Sequence, residues 1–212
     1  MSFALISDIH GYAPALEQAL AVINEELAIS EIFCLGDIID GAGDDDRCCE
    51  IIRQQSIPSV QGNHDDIHGC TLDPEHAAWL HALPDRLLVH GWECYHFSPR
   101  LREERIGTAV SAWNSFDDCD FQRCAVGHAH APGVYVFDPA TPLQCTELAW
   151  DPAGWCLDPQ LRYLAVIPSL AYNKLPRSGP GFAVIDGDHL RFHFLNLPPA
   201  PGLGGWLNDL PA

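Results

Sequence analysis

Positive charge is scarce in this chain. Eleven Lys and Arg residues stand against 29 Asp and Glu, leaving a formal net charge of −18 at pH 7 with histidine neutral. Binding along a polyanion backbone depends on lysine and arginine displacing condensed counterions, so long nucleic acid is disfavoured as a partner. Long apolar runs are missing too. No segment approaches the ~20 residues of a membrane-spanning helix, and no membrane partner is expected. Paired cysteines are also absent: the nine at 34, 48, 49, 70, 94, 119, 124, 145 and 156 form no CxxC, which argues against a zinc ribbon or a dithiol redox centre and for reduced packing thiols. Cys94, two residues before His96 on one face of an expected strand, is read with the others, a place on the functional rim being the lesser alternative. A first strand entered by Phe3 leaves no room for a charged and then apolar leader, so a cytoplasmic location is expected. No internal repeat is apparent.

What is present reads as one compact domain. A chain of 212 residues, 47% apolar, can bury a substantial core. We expect a single domain over residues 1–197 and a Pro/Gly-rich surface extension over 198–212, in which Trp206 and Leu207 could dock.

Seven potential metal ligands are strung along it: Asp8 and His10 in SDIHG, Asp37 in LGDIID, Asn63 in QGNHDD, His96, and His128 and His130 in GHAH. Two divalent cations side by side need such a set, which makes a hydrolase the leading reading. The pieces recur every 26 to 33 residues, close to the roughly 30 of a strand, crossover helix and strand. An apolar run precedes each: FALIS, EIFCLG, IPSVQG, WECY and FQRCAVG. These read as buried strands whose carboxyl ends gather the polar residues at one rim of an α/β sheet.

Helices are expected between the strands. Residues 13–27 place Leu16, Leu20, Ile23 and Leu27 on one face, with Pro14 in the first turn. The run DDDRCCEIIRQQ begins with Asp44, Asp45 and Asp46, read as N-terminal capping acids rather than ligands. A third helix covers TLDPEHAAWLHAL, capped by Thr71 or Asp73, and a fourth lies around 104–115. After GHAH the helical period disappears, so residues 132–197 are expected to be mainly antiparallel strand, with a tight hairpin at Gly187 to His189.

SDIHG, GDIID, GNHD, a later single His and GHAH, in that order, resemble the calcineurin-like metallophosphoesterase superfamily, whose signature is DxH, GDxxD, GNH[DE], H and GHxH. The match spans residues 5 to about 132. The surrounding phrases look like the small bacterial and archaeal phosphodiesterase-type members, and IPSLAYNKLPRSGPGFAVID looks like a loose version of their NPGSVGxPR stretch. The resemblance implies a four-layer αββα sandwich of two mixed sheets flanked by helices, with a dinuclear metal site at the strand C-terminal rim. One metal would take Asp8, His10, Asp37 and His130, and the other Asp37, Asn63, His96 and His128, so that Asp37 bridges. Carboxylate, imidazole and amide oxygen suit Mn, Fe, Zn, Co or Ni, with Mn the expected cofactor. A hydroxide held between the metals would be the nucleophile.

His64, beside a ligand but not one in the family, would stabilise the phosphoryl group or protonate the leaving oxygen, with Asp40 orienting its ring. Asp65 is read as capping the following turn, with no catalytic role. Phe97 stands where close relatives carry a glycine and would narrow the pocket. His68, Arg100 and Arg177 are candidate substrate contacts, although either arginine could equally form a structural ion pair. His76, His81, His90, His189 and His193 are assigned to packing or surface. Gly41 and Asp65 replace the Arg and Glu of serine/threonine protein phosphatases and disfavour that activity. The expected function is hydrolysis of a small phosphorylated substrate, phosphodiesters ahead of monoesters. A dinucleoside polyphosphatase and a non-catalytic interaction scaffold are the alternatives, and oligomeric state is left open.

Overall fold

The computed structural model describes residues 1–174 and 179–202. In chain order its elements are β1 (Ser2–Ile6), α1 (Ala13–Ala21), β2 (Ile32–Cys34), α2 (Asp45–Gln54), α3 (Asn63–Asp66), α4 (Pro74–His81), β3 (Arg86–Val89), β4 (Trp92–Tyr95), α5 (Ala109–Asp118), β5 (Arg123–Val126), β6 (Gly133–Phe137), β7 (Cys145–Glu147), β8 (Trp155–Cys156), β9 (Arg162–Val166), β10 (Gly181–Asp186) and β11 (His189–Phe194). They form two mixed sheets, ordered β2-β1-β10-β11-β8 and β3-β4-β5-β9-β6-β7. This is the expected αββα sandwich.

The period of two along each strand explains the layers, because successive side chains point to opposite faces. On β1, Phe3 and Leu5 face the second sheet and share a core with its Trp92, Cys94, Ala125 and Ala165, together with Leu35 and Ile185 of their own sheet's side. Ala4 and Ile6 face outward, beneath Leu16 and Leu20 of α1, Cys48, Cys49 and Ile52 of α2, and Leu80 of α4. The second sheet does the same: Ala125 and Ala165 turn inward, while Cys124, Val126, Leu164 and Val166 turn to Ala112 and Phe116 of α5. Strands covered on both faces are apolar along their length, as in FALI of β1 and IFC of β2, whereas β4 alternates, with Glu93 half-buried between Trp92 and Cys94.

Several local expectations are corrected. The first helix continues past Ala21 as a π turn over Val22–Glu26. IPSVQG does not form a strand. It contributes one parallel bridge, Ser59 to Cys34, because Pro58 has no N–H to extend a ladder and offers only its carbonyl, which accepts the Cys34 N–H. Residues 86–95 are an antiparallel hairpin, so the step from Asn63 to His96 carries the chain from one sheet into the other instead of adding a βαβ unit. The fourth helix starts at Ala109, where Thr108 accepts the Ser111 N–H and closes a capping box. Cys94 packs between the sheets and not at the rim, its thiol pushed up to about 12 by burial. The Gly187 turn and the Asp73 cap fall where expected. Of the C-terminal stretch, Ala200 is buried against Tyr12, Ala15 and Ala171, and its N–H donates to the Ala171 carbonyl. Trp206 and Leu207 lie outside the described residues. No described helix is long and apolar enough to cross a membrane.

Candidate metal centre

The parallel strands β1 and β2 of one sheet and β4 and β5 of the other end at the same edge of the sandwich, and each then turns sharply. Asp8, His10, Asp37, Asp40, His128 and His130 all sit in the left-handed region, with φ between 49° and 70°. That region is uncommon for residues other than glycine and most tolerated by Asp, Asn and His. Here it lets a carboxylate or imidazole double back over a strand end.

The side chains converge. Asp8, His10 and His130 bring one ligand atom each within 4.8 Å of one another, as do Asp37, His96 and His128. Asp8 Oδ1 is 3.1 Å from His130 Nε2, which is 3.2 Å from His10 Nε2. Asp37 Oδ2 lies 3.1 Å from His96 Nε2 and 3.7 Å from His10 Nε2, so one oxygen faces both sets. Asn63 Oδ1 is 3.3 Å from His96 Nε2. All seven expected ligands are together.

Three of the histidines are oriented identically. The Nδ1–H groups of His10, His96 and His130 donate to the carbonyls of Asp40, Leu35 and Tyr172 at 3.2, 2.6 and 3.0 Å, which aims each Nε2 into the cluster. Such outer hydrogen bonds fix the tautomer of a metal-binding imidazole. His128 differs, because its Nε2 receives the Nε–H of Arg105 at 3.3 Å. Electrostatics favour the same assembly. Burial alone would raise the Asp8 and Asp37 carboxyls, but their histidine neighbours, His130 for Asp8 and His96 for Asp37, hold both well below the usual carboxylate range. Burial, then the charge of His96, lowers the His128 imidazole to about 4. Oxygen and neutral nitrogen donors without thiolate fit two divalent first-row cations.

Two glycines of the motifs are required by close approach. A Cβ on Gly62 would fall 2.1 Å from Asp37 Oδ1, and one on Gly127 2.1 Å from Ser7 Oγ and 2.8 Å from Asp8 Oδ2.

Around the ligands, His64 Nδ1 is 2.9 Å from Asp40 Oδ2, its N–H donates to Asp37 Oδ1 at 2.9 Å, and its ring stands edge-on to His10 at 4.8 Å. His64 also lies close enough to His10 and Asp37 to form a third potential ligand set, and the Asp40 partner is what distinguishes it. Phe97 is buried, edge-on to His96 at 4.8 Å and His128 at 5.0 Å, with the Arg102 guanidinium 5.4 Å above its ring.

The other candidate contacts fare differently. Arg100 is tied to Asp118 and Glu104, the structural ion pair that its sequence context left open. The His68 ring bonds the Cys70 carbonyl and makes no described contact with the cluster. Arg177 lies outside the described residues. His76, His81 and His90 face Asp46, Asp66 and Glu31, and His193 stacks on Phe182.

The three aspartates read as N-terminal acids stand there, Asp44 at the N-cap and Asp45 and Asp46 in the first turn of α2, and two of them have further work. Asp44 caps nothing with its side chain, Asp45 accepts the Asp40 N–H, and Asp46 accepts the Asp73 N–H and the His76 ring N–H. Asp65 does more than cap a turn. Fully buried, it accepts the N–H groups of Gly62, Asp37 and Ile38 at 2.8 to 2.9 Å, lashing GNHD to GDIID. Burial, then the neighbouring Asp37, pushes its carboxyl up to about 6.

Three further residues border the site without having been singled out: Arg105, Tyr172, whose ring lies 4.3 Å from that of His130, and Lys174, whose N–H donates to the His130 carbonyl at 2.7 Å. Lys174 is the one lysine of the chain, the only signal that could have drawn attention to it.

A sequence model described as the calcineurin-like phosphoesterase superfamily domain matches residues 1–142. A metallophosphoesterase from Sphaerobacter thermophilus superposes with a TM-score of 0.77 at 26% identity, covering 100% of this chain and 95% of that one. A hypothetical protein from Pyrococcus horikoshii OT3 gives 0.65 at 15% identity over 99% and 94% of the two chains, a likeness of fold. An uncharacterized protein of Methanocaldococcus jannaschii is 45% identical over 62 residues, 29% of this chain and only 25% of its own length.

Proposed function

The chain belongs to the calcineurin-like phosphoesterase superfamily, and from that premise we propose that it is a metal-dependent phosphodiesterase in which His64 is the general acid. The observation that carries the reading is the sharing of Asp37 between two ligand sets, with the His64–Asp40 pair beside them.

Asp8, His10, Asp37 and His130 would hold one cation and Asp37, Asn63, His96 and His128 the other. When bound, such a pair makes water a nucleophile near neutral pH and offsets charge on the phosphoryl oxygens. The residues then divide the remaining work. Asp40 accepts from His64 Nδ1–H, which fixes the ring and leaves Nε2–H for the substrate. As water attacks phosphorus and the ester P–O bond breaks, that proton passes to the leaving oxygen, and Asp40 stabilises the imidazolium that precedes transfer. Phe97 closes one side of the site and limits water. A diester presents one negative charge at the reacting phosphorus where a monoester presents up to two. In a chain of net charge −18, the diester meets less repulsion.

The test is to strip metal, reconstitute with Mn, Co, Ni or Zn, and compare bis-p-nitrophenyl phosphate, p-nitrophenyl phosphate and a dinucleoside tetraphosphate. Turnover fastest on the diester is expected. A preference for the monoester or the tetraphosphate overturns the diesterase reading, and a protein that binds no metal and hydrolyses none of the three overturns the enzyme.

A further inference from the structure

We propose that Arg105 and Lys174 form a two-cation clamp for the non-bridging oxygens of the substrate phosphoryl group, on the flank of the metal centre formed by His128 and His130. The assignment rests on the phosphoester hydrolase reading and names residues that reading does not need.

The first argument is a census of positive charge. Arg47, Arg53, Arg86, Arg100, Arg102 and Arg123 each face a carboxylate, and Arg162 is spent on the carbonyls of Phe116, Cys119 and Phe121. Among the described residues, no carboxylate lies within ion-pair distance of Arg105 or Lys174. Arg191 shares that property but sits on β11, in the hairpin with β10. In a chain with 29 acids, two bases left without a carboxylate beside a set of ligands call for an anion from outside.

Position is the second argument. Arg105 is exposed, and its one described polar side-chain contact is its Nε–H to His128 Nε2, a lone pair that a metal on that nitrogen would claim, so the guanidinium is available to an anion. Lys174 follows the His130 contact directly, and its ammonium lies within electrostatic reach of both Arg105 and Asp8. A guanidinium matches phosphate oxygens as a planar fork and an ammonium as a point charge. Two like charges held near one another repel until an anion enters between them.

Both bases are also held in place. Arg105 precedes Ile106, which is buried in the core under α5, and the loop before it folds back through Ser98 N–H to Glu104 O. Lys174 follows Asn173, fully buried, whose amide bonds both backbone groups of Ser169 and the Gly179 carbonyl. Each charged arm therefore springs from an anchored residue, which lowers the entropy lost on gripping a ligand.

The probe is inorganic phosphate, titrated calorimetrically into the Mn-reconstituted protein and into Arg105→Gln, Lys174→Gln, the double variant and Arg105→Lys, with metal content measured in each. We expect each Gln variant to weaken phosphate binding by about ten-fold or more, Arg105→Lys to recover part of the loss, and metal content to stay at the wild-type level. The proposal is overturned if the double variant binds phosphate within about two-fold of wild type, if either single variant sheds metal, or if the wild type binds no phosphate. A wild type that binds phosphate through these residues yet hydrolyses no ester would sink the hydrolase and leave the clamp standing.

Discussion

Asp37 and His64 touch each other yet should fail differently when replaced. The Asp37 carboxylate faces both ligand sets and accepts the His64 N–H, so Asp37→Asn should lower metal content at both sites. His64→Ala removes a ring that bonds Asp40 and should leave the metals while reducing kcat by about a hundred-fold or more. Metal analysis beside steady-state kinetics separates the two, and equal metal loss in both would contradict the division of roles. His96 makes metal loading depend on pH. Burial opposes its protonation, but Asp37 and Asp8 together raise it to about 9. A metal needs the neutral ring, so below about pH 9 loading must expel this proton and affinity should rise with pH by up to about ten-fold per unit. In the metal-free chain the sign for stability is opposite: the contribution is full below the unfolded value of about 6.5 and lost as pH rises through about 9. Calorimetry in buffers of different ionisation enthalpy should register close to one proton released near neutrality. At this scale the residues of the cluster were legible because each sits in a short motif. The reach of Asp65 and the place of Arg105 were not: beyond the Gly62 N–H three residues back, Asp65 accepts from Asp37 and Ile38, 28 and 27 residues away, and Arg105 meets His128, 23 residues on.

For the elements, sequence reading succeeded where a single strand with two apolar neighbours dictates its own pattern, as on β1, β2, β4 and β5. It failed where the outcome depends on a partner. IPSVQG has the apolar content of a strand but only one bridge to make beside Pro58. Asp45 and Asp46 stand in the first turn of α2 as read, but the N–H groups of Asp40 and Asp73 that their carboxylates also accept come from residues that only the tertiary fold brings near. The turn after β5 offers a direct check. Gly127→Ala would drive a methyl into Ser7 and Asp8, and we expect a loss of about 1–3 kcal/mol in urea unfolding together with weakened metal binding. Gly107→Ala, whose added carbon meets nothing within 4 Å, serves as the neutral control.

Taken whole, the molecule draws its site from both sheets: Asp8, His10, Asp37 and Asn63 follow strands or segments of one, His96 and His128 strands of the other. Metal would thus join the two halves of the sandwich. Ions that bind only the folded chain should stabilise it by about 2.7 kcal/mol per site at a hundred times Kd. For a chain of this length that corresponds to a rise in Tm of about 5–10 °C per site, reversed by chelation and measurable by calorimetry. A Tm indifferent to metal would count against sites spanning the sheets. The spacing of motifs made the α/β class legible, but it suggested successive βαβ steps. The passage from β2 to the β3–β4 hairpin, which creates the second sheet, depends on long-range pairing that spacing does not encode.

Six residues with positive φ, three aspartates and three histidines, also set how this site can vary through mutation. The side chains that best bind hard or borderline cations are among the few, glycine apart, that tolerate left-handed backbone. Selection at these positions therefore explores a short alphabet of Asp, Asn, His and Gly. Glutamate, chemically the nearest neighbour of aspartate, is less favoured by this backbone, although Glu103 of the same chain adopts it at φ 69°.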